Sequence, residues 1–350
     1  MGCVASNPAA GSAAGSAANT PSPVEQLPAA TGTVLAVALG GSSDIIGVLA
    51  WARTLGFKSI VLVQPGSQAR GAPKEIGMQR VQPAAAGASA PGGDFFDNGS
   101  MVSYLLSLDT SDELAAGYYL VQPKDEGAGF SAASLEATTT ALLKLLTEHS
   151  CTAVAGLDFG GDVALPRDES AASVPHIMQR DWLNLLAAVA AATKAGAALH
   201  LVAASPGVDA AAVAPAYAGC ISKQPAPRLF EMSKEGALEP KPDTPLPECA
   251  LTTLPQALFD HRLDNAVEKR FCELLVEIDE RIIADAPPQK RGEHASKTYH
   301  MHACCGKLLA ESADAPFVAV GVFRAAEKAR ALLHSDYCRG LYKLDYLAST

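Results

Sequence analysis

The sequence predicts an α/β fold with a Rossmann-like, mostly parallel sheet and helices on both faces. Three observations predict it. Short apolar runs without alternation recur along the chain, as expected of parallel strands buried on both faces. Segments with helical spacing of apolar residues separate these runs. The runs end in turns that lead directly into the helical segments, which is typical of strand–helix–strand units with right-handed crossovers.

The first unit is the strand "TVLAVAL" from Thr33 and the helix "DIIGVLAWARTLG", for which Gly56 is the predicted stop. "SIVLVQP" predicts a second buried strand that ends at Pro65. Residues 64–100 are rich in Gly, Pro and Ala and are expected to form a long excursion. "MVSYLLSL" then predicts a short helix, and "GYYLVQP" predicts a strand.

An amphipathic helix is predicted over Ser131–Ser150, followed by the buried strand "TAVAGLDF". "RDWLNLLAAVAAATKAG" predicts the next helix, and "AALHLVAAS" the next strand. The pattern weakens after Tyr217. The long segment that includes "DHRLD" (Asp260–Asp264) predicts one or two helices, and "PFVAVGVF" predicts a late strand.

Composition excludes several functional classes. The chain has 350 residues, of which 49% are hydrophobic, and this is enough for a large core. Its formal net charge is −10 and it has no basic face, so no nucleic-acid partner is expected. No apolar run approaches the length of a membrane-spanning helix. The eight cysteines include no Cys-x-x-Cys pair, which suits a reducing, cytosolic compartment.

The first six residues, "MGCVAS", match the N-myristoylation pattern, with Gly2 as the acceptor and Ser6 at the fifth position of the acylated chain. Cys3 is a natural palmitoylation site. One myristoyl chain binds membranes only marginally, and residues 2–30 contain no Lys or Arg that could assist. We therefore expect dual acylation to hold the protein at the cytoplasmic face of a plasma or flagellar membrane. The alternative is an accidental match.

Two regions follow from these patterns. Residues 1–31 are expected to form the acylated, flexible N-terminal tail, because Asn7–Gly32 is rich in Ala, Gly, Ser and Pro and carries one charge, Glu25. Residues 32–350 are expected to form a single α/β domain.

Three of the predicted strands end in similar loops, "GGSSD" (Gly40–Asp44), "DFGGD" (Asp158–Asp162) and "SPGVD" (Ser205–Asp209). In a parallel sheet these loops share the edge at which open α/β folds bind ligands. Glycines allow backbone N–H groups to approach an anion, and the following helix N-terminus favours negative charge. Neither the dinucleotide fingerprint nor the Walker motif is present.

The carboxylates in these loops would repel an anion unless a cation, most simply Mg²⁺, lies between them. The sequence thus predicts a small phosphorylated or carboxylated ligand and a cation held by Asp44 and Asp162. The predicted ligand-binding residues are Gly40, Gly41, Ser42, Ser43, Gly160, Gly161, Ser205 and Asp209. A simpler interpretation stays open, in which the glycines form turns and the aspartates cap helices.

The segments "VLAVALGGSSDIIGVLAWARTLG", "AGLDFGGDVAL" and "MQRDWLNLL" resemble the domain-of-unknown-function 1152 family. The resemblance covers Thr33–Val208 closely and the remainder loosely. It implies a single α/β domain and a role for these loops, and it implies no particular activity. Ser42 and Ser43 depart from the family's more glycine-rich first loop, and the acylation signal and linker are additions to the family domain.

"YHMHACC" would place His300, His302 and Cys304 on one face of a strand, either as a soft-metal set or as a structural face. Two functions therefore remain open. The chain is a membrane-anchored protein that binds a small anionic ligand with a divalent cation, or a membrane-tethered scaffold or degenerate enzyme that acts through protein partners. Whether it is an enzyme stays open as well.

Overall fold

The structure is a computed structural model. It describes residues 30–41, 43–67, 76–91, 99–122, 132–159, 176–204, 230–232, 238–240, 261–262, 265–288 and 322–324.

A single large sheet organises the described residues. Its eight strands are β1 (Thr33–Ala38), β2 (Ser59–Ser67), β3 (Gly77–Val81), β4 (Leu114–Gln122), β5 (Cys151–Phe159), β6 (Ala198–Ala204), β9 (His261–Arg262) and β10 (Val322–Arg324). They lie in the order β3-β4-β2-β1-β5-β6-β10-β9. Two further strands, β7 (Phe230–Met232) and β8 (Leu238–Pro240), pair with each other. Four of the seven pairings in the large sheet are parallel, so the predicted α/β, mostly parallel fold is confirmed.

The five parallel strands follow the Rossmann order. Along the chain, β1, β2 and β4 build the sheet in one direction, and β5 and β6 build it in the other. The direction changes between β1 and β5, and the crevice at the carboxyl ends of such a strand pair is where this kind of sheet binds ligands. The topology therefore indicates a binding site among the residues that follow Ala38 in β1 and Leu157 in β5.

Helices cover both faces of the sheet and form two apolar cores. The helices are α1 (Asp44–Thr54), α2 (Ser100–Leu108), α3 (Ala132–Glu148), α4 (His176–Ala195) and α5 (Asn265–Asp285). Because alternate side chains of a strand point to opposite faces, Leu35 and Val37 pack with α3 and α4, whereas Val34 and Ala36 pack with α1, α2 and α5. The result is three layers, with the sheet in the middle.

Helix α1 lies unusually close to the sheet. It is buried from Asp44 to Ala52, because the sheet covers one side and α5 the other. A Cβ at Gly47 would collide with Phe159 and would lie 2.6 Å from Leu157 Cδ2, so only glycine permits this approach. The N-terminus of α1 is thereby fixed against the end of β5.

Three expectations change in the structure. Strand β2 runs past Pro65 to Ser67; beyond Val63 it has no partner in β1, so the missing proline N–H interrupts no bond to that strand. The predicted excursion contains the antiparallel edge strand β3, which its polar residues concealed. The prediction that "DHRLD" is helical was wrong for His261–Arg262, which pair with β10.

The other helices and strands predicted between Thr33 and Ala204 are confirmed, including the stop of α1 at Gly56, which has a φ of 86°. Helix α5 is one of the one or two helices predicted for the segment that includes "DHRLD". Of the predicted late strand "PFVAVGVF", only the end lies within the described residues, in β10. Among the described residues, no helix combines the length and the apolar character needed to cross a membrane. The tail of residues 1–29 lies outside the described residues.

Candidate functional site

The structure describes part of the predicted site. It places Gly40, Gly41, Ser43 and Asp44 at the carboxyl end of β1 and the start of α1. The other predicted residues lie outside the described residues, namely Ser42, Gly160, Gly161, Asp162, Ser205 and Asp209, together with the acylation residues Gly2 and Cys3 and the set His300, His302 and Cys304.

Asp44 joins the ends of the two strands at which the sheet changes direction. Its Oδ2 accepts a hydrogen bond of 2.7 Å from the Gly40 N–H, and its Oδ1 accepts one of 3.2 Å from the Phe159 N–H. Its side chain is only 3% exposed. Hydrogen bonds from backbone N–H groups to a carboxylate are strong because the acceptor is charged. Asp44 therefore clamps β1 to β5 just beyond their last paired residues.

This geometry replaces the simple capping interpretation of Asp44. The N-cap of α1 is Ser43, whose carbonyl oxygen accepts from the Ile46 and Gly47 N–H groups, while its side chain makes no capping bond. Asp44 is the first residue of the helix, and its carboxylate faces the strand ends. The Gly40 N–H is directed at Asp44, so donors to a bound anion would have to come from Gly41 onward.

A second buried carboxylate, Asp181 on α4, lies against the same glycine. A Cβ built on Gly40 would be 2.7 Å from Asp44 Oδ2 and 2.8 Å from Asp181 Oδ2. The two oxygens can therefore be no farther apart than the sum of these distances. Asp181 is 4% exposed. Its position in the apolar segment "RDWLNLL" could have indicated a site residue. A carboxylate on a buried helix face costs free energy unless a charge or hydrogen bonds compensate it.

The side-chain amides of Asn184 and Gln122 are buried and hydrogen-bonded to each other at the same edge of the sheet. Asn184 Nδ2 donates to the Leu39 carbonyl oxygen at 2.7 Å, which leaves its Oδ1 to accept from Gln122 Nε2 at 2.7 Å. Both side chains are 0% exposed. The direction of these bonds fixes the Gln122 amide, and its Oε1 is a buried acceptor without a hydrogen-bond partner in the part of the chain that the structure describes.

Two more buried polar side chains lie in the carboxyl-terminal halves of their strands. Asp158 on β5 and Gln64 on β2 are each 1% exposed. Alternation along β5 puts Asp158 on the same face as Val154, which packs with α3 and α4. Asp158 therefore shares the face of the sheet from which Asp181 and Asn184 approach.

The carboxyl edge thus collects three buried aspartates, Asp44, Asp158 and Asp181. Within the described ranges, no three His, Cys, Asp or Glu side chains are arranged closely enough to hold a metal ion by themselves. One or two carboxylates are nevertheless enough for Mg²⁺ when water and ligand oxygens complete its shell. Asp162, the predicted partner of Asp44, stays a prediction.

Neither a family model nor a curated protein or solved structure matches the chain. What the site can do therefore follows from its own geometry, and the resemblance to the domain-of-unknown-function 1152 family stays a prediction.

Proposed function

We propose that the domain binds a small phosphorylated or carboxylated ligand together with a divalent cation at the carboxyl ends of β1 and β5. The observation that carries this proposal is the group of buried carboxylates at the point where the Rossmann order changes direction. Open α/β sheets bind ligands at this point.

The cation is included in the proposal because the carboxylates at this edge of the sheet are negatively charged and buried. Removing ionised carboxylates from water is costly unless an opposite charge or several hydrogen bonds compensate. A divalent cation supplies that charge and also attracts an anionic ligand to an otherwise negative edge of the sheet. Mg²⁺ is the expected ion, because it commonly binds through one or two carboxylates and the oxygens of its substrate.

The ligand would lie over the start of α1. The helix N-terminus favours negative charge, and the half-buried Gly41 offers a backbone N–H that Asp44 does not take in the described geometry. The loop with Gly160, Gly161 and Asp162 is proposed to close the other side, since it continues directly from Phe159.

Thermal unfolding of the full chain tests this function. MgCl₂, a panel of small anions (inorganic phosphate, pyrophosphate and citrate) and their combinations would be compared at constant ionic strength. We expect at least one anion to raise the Tm only when Mg²⁺ is present. An anion at a hundred times its Kd adds about 2.7 kcal/mol to the unfolding free energy if it binds only the folded state. The scaffold hypothesis predicts no such change, and a flat response to every combination would contradict ligand binding here.

We also propose that acylation of Gly2 and Cys3 anchors the domain to a membrane. Gly2→Ala should move the protein to the soluble fraction of its own cells, because no acyl chain is then attached. Cys3→Ser should leave weak, reversible attachment, because a single myristoyl chain is insufficient. Wild-type protein that fractionates as soluble would contradict the anchor.

A further inference from the structure

We propose that Asp181 and Asp44 form the cation-binding pair of this site, and that the ion they hold is a hard divalent cation. The inference deepens the proposed function, because it names the side chains that bind the ion. It is nevertheless separate from it, since the pair can bind a cation whether or not an anion follows.

The distance between the two carboxylates supports a shared ion. Both Oδ2 atoms lie within 2.8 Å of the point that a Gly40 Cβ would occupy. Two oxygens bound to one Mg²⁺ are at most about 4.2 Å apart, because each Mg–O distance is about 2.1 Å. The two Oδ2 atoms are at most the sum of their distances from the Gly40 Cβ position apart, which exceeds the Mg²⁺ limit by little more than about 1 Å. A small rotation of the Asp181 side chain would close this difference.

A second, independent observation points to the same kind of ligand. Gln122 Oε1 is completely buried and has no hydrogen-bond partner among the described residues, although the bond from its Nε2 to Asn184 fixes the amide. Asn184 in turn bonds to Leu39, the residue directly before Gly40. A buried acceptor without a donor costs free energy, and a water molecule bound at this edge of the sheet would satisfy it, as expected of a hydrated ion site that Asn184 connects to Leu39.

The donor atoms indicate which ion binds. The pair offers carboxylate oxygens, and the other buried polar side chains described at this edge of the sheet, Asp158, Asn184 and Gln122, include neither histidine nor cysteine. Oxygen ligands of this kind suit Mg²⁺, Mn²⁺ and Ca²⁺ rather than Zn²⁺ or Cu²⁺. The rival arrangement is a proton shared between the two carboxylates, which would need no ion.

Mn²⁺ binding separates these arrangements, since Mn²⁺ replaces Mg²⁺ and is detected directly by electron paramagnetic resonance. The full chain should bind one Mn²⁺ without any added anion. Asp181→Asn should weaken binding by roughly tenfold or more. Asp279→Asn is the matched control, because Asp279 is also 4% exposed and lies on α5; it should leave the affinity unchanged.

A glycine pair provides a second test that leaves every carboxylate in place. Gly40→Ala inserts a methyl group against both oxygens and should push the pair apart, so that Mn²⁺ affinity falls by a similar factor. Gly77→Ala is the control, because a Cβ there meets nothing within 4 Å. This comparison also decides the matter if Asp181→Asn fails to fold.

The outcomes distinguish this inference from the proposed function. Mn²⁺ binding that Asp181→Asn and Gly40→Ala both weaken supports the pair, even if no anion ever binds. The pair is overturned if the wild-type chain binds no Mn²⁺ at millimolar concentration, or if both variants bind it as the wild type does. If an anion binds without any metal, the proposed anion site is supported, but the cation-binding role of Asp44 and Asp181 is not.

Discussion

The two ends of the parallel sheet differ in the polar groups that they bury. At the carboxyl end, carboxylates and amides are sealed from solvent, as Asp44, Asp158 and Gln122 show. At the amino end the polar side chains are half-buried: they are the hydroxyls of Thr33 and Ser59, the Arg53–Glu113 ion pair, and Asp109, whose Oδ2 accepts from the Leu114 N–H. Thr33 Oγ1 donates to Ser59 Oγ at 3.1 Å in a half-buried position.

The difference is therefore one of burial. The same strands begin at the amino end among half-buried hydroxyls and charges, and they end at the carboxyl end around aspartates that are almost fully buried. Because burying a carboxylate is costly, the asymmetry is best explained by a role in binding. Residues at the carboxyl end would then contribute both to stability and to binding, whereas residues at the amino end would contribute to stability alone. Substitutions at the two ends should therefore have different effects.

The largest effect is expected for Asp44→Ala. The substitution leaves the Gly40 and Phe159 N–H groups buried without their acceptor, and each such loss costs about 1–3 kcal/mol. We expect the free energy of unfolding to fall by roughly 2–4 kcal/mol in urea denaturation. Asp44→Asn should fall between this variant and the wild type, because an amide keeps one acceptor oxygen.

The control for this prediction is Thr33→Val at the amino end. It removes a half-buried hydroxyl bond and should cost less than about 1 kcal/mol. If the two substitutions destabilise the protein equally, the contrast between the two ends of the sheet is not energetic, and Asp44 is no clamp.

The contrast also explains how far the sequence alone could predict the site. Apolar runs located β1 and β5, and the edge rule for parallel sheets correctly brought Gly40 and Asp158 to one end. Asp181 was missed as a site residue because α4 has the pattern of an apolar helix, and sequence spacing does not show that its Asp181 faces Gly40. Such contacts depend on the helix–sheet packing, which periodicity does not specify.

The antiparallel edge strands were missed for a related reason. Strand β3 has one pairing partner and half-exposed or exposed side chains, so its residues carry neither a continuous apolar run nor strong propensity. Strand β9 has only two residues, too few for any pattern to appear. The buried centre of the sheet is predictable, whereas its margins depend on tertiary pairing.

A smaller, pH-dependent effect is expected from His200 on β6. Burial lowers the pKa of this imidazole below its ordinary value of 6.5. The unfolded chain then binds a proton that the folded chain does not, so stability should decrease as the pH falls below about 6.5 towards the lowered pKa. Urea denaturation between pH 7.5 and 5 measures this dependence.

His200→Phe is the variant that isolates this term. It removes the titrating group and keeps a ring against Phe57, whose centroid lies 6.2 Å from that of His200. The bond from Trp51 Nε1 to the His200 carbonyl involves the backbone and is retained. The variant should lose part of the acid-side slope, and an unchanged slope would contradict a contribution from His200.

The smallest effect on stability is expected from shortening the tail, which joins the sheet at its amino end. The described chain begins with Ala30, which packs against the core, and the Thr31 carbonyl accepts a 2.9 Å bond from Thr152 Oγ1. Deleting residues 7–29 should leave the Tm unchanged, because these two contacts remain. Extending the deletion through Gly32 should lower the free energy of unfolding by about 0.5–1.5 kcal/mol, because the Thr31 bond is then lost. A large drop in Tm after the shorter deletion would mean that residues 7–29 stabilise the domain. The amino end of the sheet would then depend on more than the contacts of Ala30 and Thr31.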